Sequence, residues 1–230
     1  MQYSLPPNAF TKLQPTCKQF ISRQLFYPSS GNDTETPMLA FLPFIDVFWF
    51  VDPRYSSNRP LFDESTLGLV SEIRDDRRLD GLTIRKSQRF SVDVIQTVYR
   101  HIATGRRITV NMCCGRGYDT LRTALRTPGE LKTPISIFFY RGDSPGESGS
   151  GFNWLRKPVL KHVLEHIEPN GLLVSDGSNA IRNLARFHRN NDVLEQAVAE
   201  CVSFEKYGRT LKCIAYLGER YGPTLAWQVS

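Results

Sequence analysis

Short apolar runs alternate along this chain with longer segments in which apolar residues recur at helical spacing. The runs are rich in β-branched and aromatic residues, and they predict strands over 24–28, 47–51, 107–114 and 135–140, and a turn followed by a fifth strand within 169–179. Strands that alternate with helices are joined by crossover connections and lie parallel to one another. The pattern therefore predicts an α/β fold around a mostly parallel sheet.

Helical spacing predicts helices in the intervening segments, over 35–44, 64–74, 91–103, 120–125, 155–167 and 179–201. In the third of these, the apolar positions at helical spacing are Val92, Ile95, Val98, Tyr99 and Ile102. Residues 81–92 predict an added hairpin.

The chain closes with two further apolar runs, 210–218 and 223–229, separated by a four-residue turn, ERYG. Strands joined this closely pair antiparallel as a hairpin. Together the runs predict a sheet of seven strands, five linked by crossovers and two forming a C-terminal antiparallel hairpin. The length of 230 residues suits one domain over 1–230, with 1–20 as an N-terminal extension and 53–90 as an insertion or substrate-side segment.

Composition is that of an ordinary globular chain, with 40% hydrophobic and 23% charged residues. No window approaches the roughly 18 apolar residues of a membrane span, and the first residues, MQYSLPPNAF, predict no signal peptide. The five cysteines are an odd number without a zinc-binding spacing, which favours a reduced, cytoplasmic protein. His162 and His166 lie one helical turn apart without a third ligand nearby, so no metal site is predicted.

The net charge of +6 and the pI of about 9.1 are compatible with an anionic partner such as nucleic acid. The basic runs are short and mixed with acidic residues, as in EIRDDRRLDG. A small-molecule substrate is therefore favoured over nucleic acid, and no membrane partner is expected.

Three stretches, read together with the order of elements, resemble the class I S-adenosylmethionine-dependent methyltransferases. QLFYPSSGND stands in the place of that family's glycine-rich first motif, with one glycine, Gly31. VFWFVD ends in Asp52, where the family's second strand ends in an acid that binds the cofactor ribose. HIEPNGLLVSDGSN is similar to the family's turn before its fifth strand, with Asn170 in place of the first glycine and expected to adopt a positive φ. The resemblance implies a Rossmann-like, doubly wound α/β fold and S-adenosylmethionine as cofactor.

In an open α/β sheet, ligands lie outside the carboxyl ends of the strands. The loops 29–34, 52–55, 115–119 and 141–151 are expected to meet there, and the free N–H groups of the first can receive an acceptor on the ligand. The predicted cofactor-binding residues are Pro28, Ser29, Ser30, Gly31, Asn32, Asp33, Asp52, Asp119 and Tyr140.

Each polar residue in these loops also has a purely structural interpretation. Asp33 or Thr34 could cap the following helix, Asp52 could be a turn residue before Pro53, and Asp119 could cap a helix rather than contact an adenine. A carboxylate at the place of Asp52 would also serve NAD, so it does not distinguish between cofactors.

The glycine-rich loop after the fourth strand, YRGDSPGESGSGFNWL, is of the kind that forms lids or substrate sites. Asp143 and Glu147 within it are candidates for positioning a substrate or acting as a general base. The leading hypothesis is a methyltransferase with an undetermined acceptor. The alternatives are a non-catalytic methyltransferase-like binding or scaffold module and another nucleotide-dependent Rossmann-like enzyme.

Overall fold

The computed structural model describes residues 13–31, 33–52, 67–73, 79–80, 91–115, 121, 134–140, 154–156, 158–175, 203–219 and 223–230. The chain divides into two compact units. One comprises Gln24–Pro134, and the other comprises Met1–Arg23 together with Ile135–Ser230. They are called the 24–134 unit and the 135–230 unit below.

The 24–134 unit is a mixed sheet with one short helix. Its elements are β1 (Gln24–Pro28), α1 (Glu35–Phe41), β2 (Val47–Asp52), β3 (Leu67–Ile73), β4 (Leu79–Asp80), β5 (Ser91–His101) and β6 (Arg107–Cys114). The strand order is β3-β5-β6-β2-β1, and β4 also pairs with β5. β2 is parallel to both β1 and β6, whereas β5 is antiparallel to β3, β4 and β6.

β1 and β2 form the apolar centre of this unit, as their sequences predict. Every residue of β1 is buried, and so is every residue of β2 after the first. Phe48 and Phe50 lie on one face of β2, and their rings stack 6.0 Å apart. Strands buried on both faces are typical of parallel pairing, which places the carboxyl ends of β1 and β2 side by side.

Two of the predicted helices are wrong, because both segments are strands. Residues 91–103 contain β5, which pairs with β6 from Asp93–Cys114 to Arg100–Arg107. Residues 64–74 contain β3, which pairs with β5. The apolar residues of β5 are mostly β-branched or aromatic, and a neighbouring strand packs such residues better than a helix does. Ile102, counted into the helical pattern, lies beyond the strand with 57% of its surface exposed.

Arg106, just after the β5–β6 turn, anchors that turn to the amino end of β2. Its Nε lies 2.8 Å from Oδ1 of Asp46. Its guanidinium also donates to the carbonyl oxygens of Pro43 (2.6 Å), Ile45 (3.1 Å) and Leu42. Three carbonyls that leave the end of α1 are thereby satisfied, which is a common use of an arginine near a helix C-terminus.

The strands of the 135–230 unit also pair in both parallel and antiparallel directions. Its elements are β7 (Ile135–Tyr140), α2 (Val159–His166), β8 (Ile167–Ser175), β9 (Ser203–Lys206), β10 (Arg209–Glu219) and β11 (Pro223–Val229), and residues 13–17 are also helical. The strand order is β7-β8-β11-β10-β9. β7 and β8 are parallel, and the remaining pairs are antiparallel.

The predicted C-terminal hairpin is confirmed, since β10 and β11 pair antiparallel. β11 also pairs antiparallel with β8, so it lies between β8 and β10. β9 is an additional strand that the sequence pattern did not predict. Arg209 at the start of β10 donates to the carbonyl oxygens of Leu164 and Ile167 at the end of α2.

The turn that opens β8 has the geometry expected of it. Asn170 has a φ of +63°, in agreement with the prediction from its place in the PNG turn. Glu168 is 3% exposed, and its carboxylate accepts hydrogen bonds from the backbone N–H groups of Ile21 (3.2 Å) and Ser22 (2.9 Å). The residues that directly follow the predicted N-terminal extension of 1–20 are therefore bound to the start of β8.

The prediction of a mostly parallel sheet needs correction. Within the two units, the described strand pairs comprise three parallel and six antiparallel ones. The segment between β2 and β6 contributes antiparallel strands where a crossover helix was predicted. The predicted helix 155–167 is confirmed in part, since α2 spans Val159–His166.

Some predictions fall on residues outside the described ranges. These are the helices 120–125, apart from Leu121, and 179–201, and most of the hairpin 81–92. Among the helices that the described ranges contain, none has the length and apolar character needed to cross a bilayer.

Candidate functional site

The candidate site lies in the 24–134 unit, where three parallel strands end side by side. The register pairs Pro28 of β1 with Val51 of β2, and Asp52 of β2 with Cys114 of β6. Each strand is followed or ended by polar or small residues, as the sequence predicted. This carboxyl edge is where a ligand of an open α/β sheet binds.

The loop after β1 turns sharply. Ser29 and Gly31 have φ values of +53° and +52°, in the left-handed region. Glycine adopts this region without cost, whereas serine does so against a steric penalty from its Cβ. The loop thus uses one glycine and one strained serine where the resembling family has several glycines.

The backbone N–H groups of this loop are already engaged within the unit. The N–H of Ser30 donates to the carbonyl oxygen of Val51 (3.0 Å), and that of Asp33 donates to the carbonyl oxygen of Ser30 (2.9 Å). The N–H of Gly31 donates to the carboxylate of Asp52 (3.0 Å). The prediction that these groups are free to receive a ligand is therefore wrong for Ser30, Gly31 and Asp33.

Asp52 connects all three strand ends. Its carboxylate accepts the Gly31 N–H, and its carbonyl oxygen accepts the N–H of Gly115 at 3.3 Å. The residue is 9% exposed, and the nearest atom that a Cβ on Gly31 would meet is Asp52 Oδ2, 3.9 Å away. A nearly buried carboxylate beside a small loop residue is a suitable acceptor for a pair of hydroxyl groups.

Asp33 does not point out of the loop. It is 8% exposed, and its Oδ2 accepts a hydrogen bond from the hydroxyl of Tyr27 at 3.0 Å. Thr34 is the N-cap residue of α1 and makes no side-chain capping hydrogen bond. The alternative in which Thr34 caps the helix through its side chain is therefore not realised.

Tyr27 is a residue that the sequence interpretation missed. It is the fourth residue of β1 and is 1% exposed, with its ring 6.4 Å from that of Phe50. From the sequence, a tyrosine inside a strand is expected to be a core residue. Only the tertiary structure shows that the hydroxyl of Tyr27 donates to Asp33. A tyrosine six residues before an acidic loop residue is the available signal, and it is a weak one.

Of the remaining predicted site residues, Pro28 and Tyr140 are described and the others fall outside the described ranges. Pro28 is the last, buried residue of β1. Tyr140 ends β7 in the 135–230 unit, where it is 3% exposed and paired with Ser175. The residues that fall outside the described ranges are Asn32, Asp119, Asp143 and Glu147.

The two adjacent cysteines at the end of β6 differ in exposure. Cys113 is fully buried, whereas Cys114, which pairs with Asp52, is partly exposed. His162 and His166 lie with ring centroids 4.4 Å apart, and Nδ1 of His166 is 2.6 Å from the carbonyl oxygen of His162. Within the described ranges, no group of three histidine, cysteine or acidic side chains is placed to hold a metal ion.

The sequence and the structure were both compared with those of known proteins. No protein-family model matches the sequence, and no curated protein matches it. One solved structure that resembles it is precorrin-6y C5,15-methyltransferase from Geobacter metallireducens GS-15, with a TM-score of 0.34 and 10% sequence identity over 96% of this chain and 87% of that one. A likeness at that TM-score establishes neither a shared fold nor a shared function.

Proposed function

We propose that this protein is an S-adenosylmethionine-dependent methyltransferase whose cofactor lies against the carboxyl ends of β1 and β2. The observation that carries the proposal is the position of Asp52. Its carboxylate ends β2 and lies 3.0 Å from the N–H of Gly31 in the neighbouring loop. The acid that the resembling family uses for ribose and the glycine of its first motif are thus in contact.

The strand order within each unit supports the same proposal. β6, β2 and β1 lie in that order and run parallel, as the third, second and first crossover strands of the resembling fold would. In the 135–230 unit, β11 runs antiparallel to β8 and β10, in keeping with a reversed C-terminal hairpin.

In this proposal, Asp52 and the loop after β1 bind the cofactor and orient it. A carboxylate accepts two hydrogen bonds from adjacent ribose hydroxyls, and Asp52 would hold the cofactor in this way. The bound cofactor supplies an activated methyl group. Transfer to an electron-rich acceptor depends mainly on the alignment of donor and acceptor, so an acid–base pair is not required. We propose a small molecule as the acceptor.

One observation favours a second candidate, a methyltransferase-like module without catalytic activity. The N–H groups of Ser30, Gly31 and Asp33 donate within the unit and not toward a ligand. A loop that satisfies its own backbone offers fewer donors to a cofactor.

Calorimetric titration with S-adenosylmethionine, S-adenosylhomocysteine and NAD distinguishes these candidates. The proposal expects binding of the two sulfur-containing ligands and not of NAD. NAD binding alone would favour another nucleotide-dependent enzyme, and binding of none of the three up to millimolar concentration would favour the module.

Asp52→Asn tests the assignment of the ribose ligand. Asparagine keeps an oxygen that can accept the Gly31 N–H, but it loses the charge that strengthens hydrogen bonds to hydroxyls. We expect the affinity for S-adenosylhomocysteine to fall about tenfold, which corresponds to roughly 1.4 kcal/mol. Asp46→Asn is the matched control, because Asp46 flanks the amino end of the same strand and pairs with Arg106. It should lower stability and leave the affinity unchanged; equal affinities for the two variants would contradict the assignment.

A further inference from the structure

The loop after β1 is closed by a hydrogen bond between its two flanks. Tyr27 lies in β1 before the loop, and Asp33 lies at its end, with the hydroxyl of the first donating to the carboxylate of the second at 3.0 Å. Both side chains are nearly buried, at 1% and 8% exposure. A hydrogen bond between a hydroxyl and a carboxylate shielded from water is stronger than its exposed equivalent.

Backbone hydrogen bonds connect Asp33 to the middle of the loop and to the end of β2. The N–H of Asp33 donates to the carbonyl oxygen of Ser30, and the N–H of Ser30 donates in turn to the carbonyl oxygen of Val51. The next residue, Gly31, donates to the carboxylate of Asp52. Hydrogen bonds therefore connect Asp33, through Ser30, to the end of β2.

The loop conformation needs such support because it is strained. Ser29 has a positive φ of +53°, which costs a non-glycine residue free energy. Strained backbone persists where the surrounding contacts determine it, and it is common at ligand-binding sites.

We propose that Tyr27 and Asp33 are positioning residues that hold the loop 29–33 in the conformation that binds the cofactor, without touching the cofactor themselves. This inference rests on the proposed function for the identity of the ligand. It assigns to Asp33 a role different from direct cofactor contact. A loop that is ordered before binding does not have to be ordered by the ligand, so affinity is gained through preorganisation.

The test uses the full chain and two readouts. Tyr27→Phe removes the hydroxyl and keeps the buried ring, and it should weaken the affinity for S-adenosylhomocysteine about tenfold, as expected for loss of a hydrogen bond to a charged group. Asp33→Ala should have the same effect. Asp33→Asn retains an uncharged oxygen that can still accept the Tyr27 hydroxyl in a weaker hydrogen bond, so it should lower the affinity less than Asp33→Ala does.

A double variant separates coupling from two independent defects. If the two side chains act only through their mutual bond, Tyr27→Phe combined with Asp33→Ala should bind no more weakly than either single variant. Additive losses would overturn the proposal. Tyr99→Phe is the matched control, because Tyr99 is a buried tyrosine of β5 in the same unit; its affinity should equal that of the wild type.

The second readout needs no ligand and keeps the inference separate from the proposed function. Amide hydrogen exchange of the unliganded protein should accelerate at 29–33 in Tyr27→Phe and stay unchanged in β5 and β6. If exchange at 29–33 is faster in Tyr27→Phe but the wild-type protein binds neither sulfur-containing ligand, the proposed function is wrong. The inference that Tyr27 and Asp33 position the loop would still hold. Unchanged exchange at 29–33, or lower melting temperature with unchanged affinity, would show that the pair has only a structural role.

Discussion

Gly31 and Asp52 are 21 residues apart in the sequence, and the N–H of the first donates to Oδ2 of the second across 3.0 Å. The contact fastens the loop after β1 to the end of β2. It brings together two of the residues that the sequence nominated for the cofactor, although it also uses a donor that was expected to face the ligand.

Gly31→Ala tests how far this loop depends on a glycine. The φ of Gly31 is +52°, while a Cβ would meet no atom closer than Asp52 Oδ2 at 3.9 Å, so the cost should come from the backbone and not from a clash. We expect the free energy of unfolding to fall by about 1 kcal/mol in urea titrations. Gly105→Ala is the control, because Gly105 has a φ of +68° with no atom within 4 Å of a Cβ. A much larger loss at Gly31 than at Gly105 would contradict a purely backbone cost.

Ser29→Gly tests the strain at the start of the same loop. Glycine adopts the positive φ of +53° at this position without the Cβ penalty, so the substitution should raise the free energy of unfolding by roughly 0.5–1 kcal/mol. Ser30→Gly provides the comparison, since Ser30 Oγ donates to the carbonyl oxygen of Val51 at 3.4 Å and the residue is not among those with positive φ. That variant should be destabilised. If Ser29→Gly is destabilised as well, the strain at Ser29 is not what limits the loop.

Gly171→Ala tests a close approach in the 135–230 unit. A Cβ on Gly171 would lie 2.6 Å from Cγ2 of Ile167, 2.8 Å from the carbonyl oxygen of Ser136 and 2.9 Å from that of Glu168. Two of these atoms belong to backbone that cannot give way, so β8 would have to shift relative to β7. We expect a loss of roughly 1–3 kcal/mol by chemical denaturation. Asn170→Gly next to it should be neutral or slightly stabilising, because the φ of Asn170 is +63°.

Cys17 should make the protein less stable in alkaline solution. Burial raises the pKa of its thiol from 9.0 to about 12. Below pH 9 the thiol is protonated in both the folded and the unfolded chain and contributes no pH dependence. Between about pH 9 and pH 12 the unfolded chain releases the proton while the folded chain keeps it, so stability should fall with pH by up to about 1.4 kcal/mol per pH unit.

Cys17→Ala isolates this contribution. Its free energy of unfolding at pH 7 gives the packing cost of the lost sulfur, and the difference between variant and wild type should then shrink as the pH rises from 9. A constant difference across that range would show that the thiol stays neutral in the unfolded chain or ionises in the folded one.

The elements that the sequence predicted well are those whose environment is uniform along their length. β1, β2 and β7 are mostly apolar runs that are buried along nearly all of their length, as burial on both faces of a strand requires. The C-terminal hairpin was predictable because a four-residue turn allows only an antiparallel pairing. Asn170 was predictable because asparagine readily takes the positive φ that the PNG turn, within the first half of β8, requires.

The two wrong helix predictions, for the segments that form β3 and β5, have one physical origin. In β5, apolar residues fall at helical spacing as well as on the faces of a strand, and the periodicity alone cannot separate the two. The partner strand decides: β5 pairs with β6 along eight residue pairs, and β-branched residues favour a strand over a helix. The fold around β3 and β5 is therefore a consequence of long-range pairing.

The sequence by itself determined which strand ends would carry the candidate site, because apolar runs and the acids and small residues that follow them are local features. It nominated Asp52 and the loop after β1 correctly as neighbours at one edge of a sheet. Only the tertiary structure decided how the atoms are used: Gly31 donates to Asp52, and Asp33 turns inward to Tyr27. These contacts depend on side-chain direction and on strand register, and neither is encoded in residues that are adjacent in the chain.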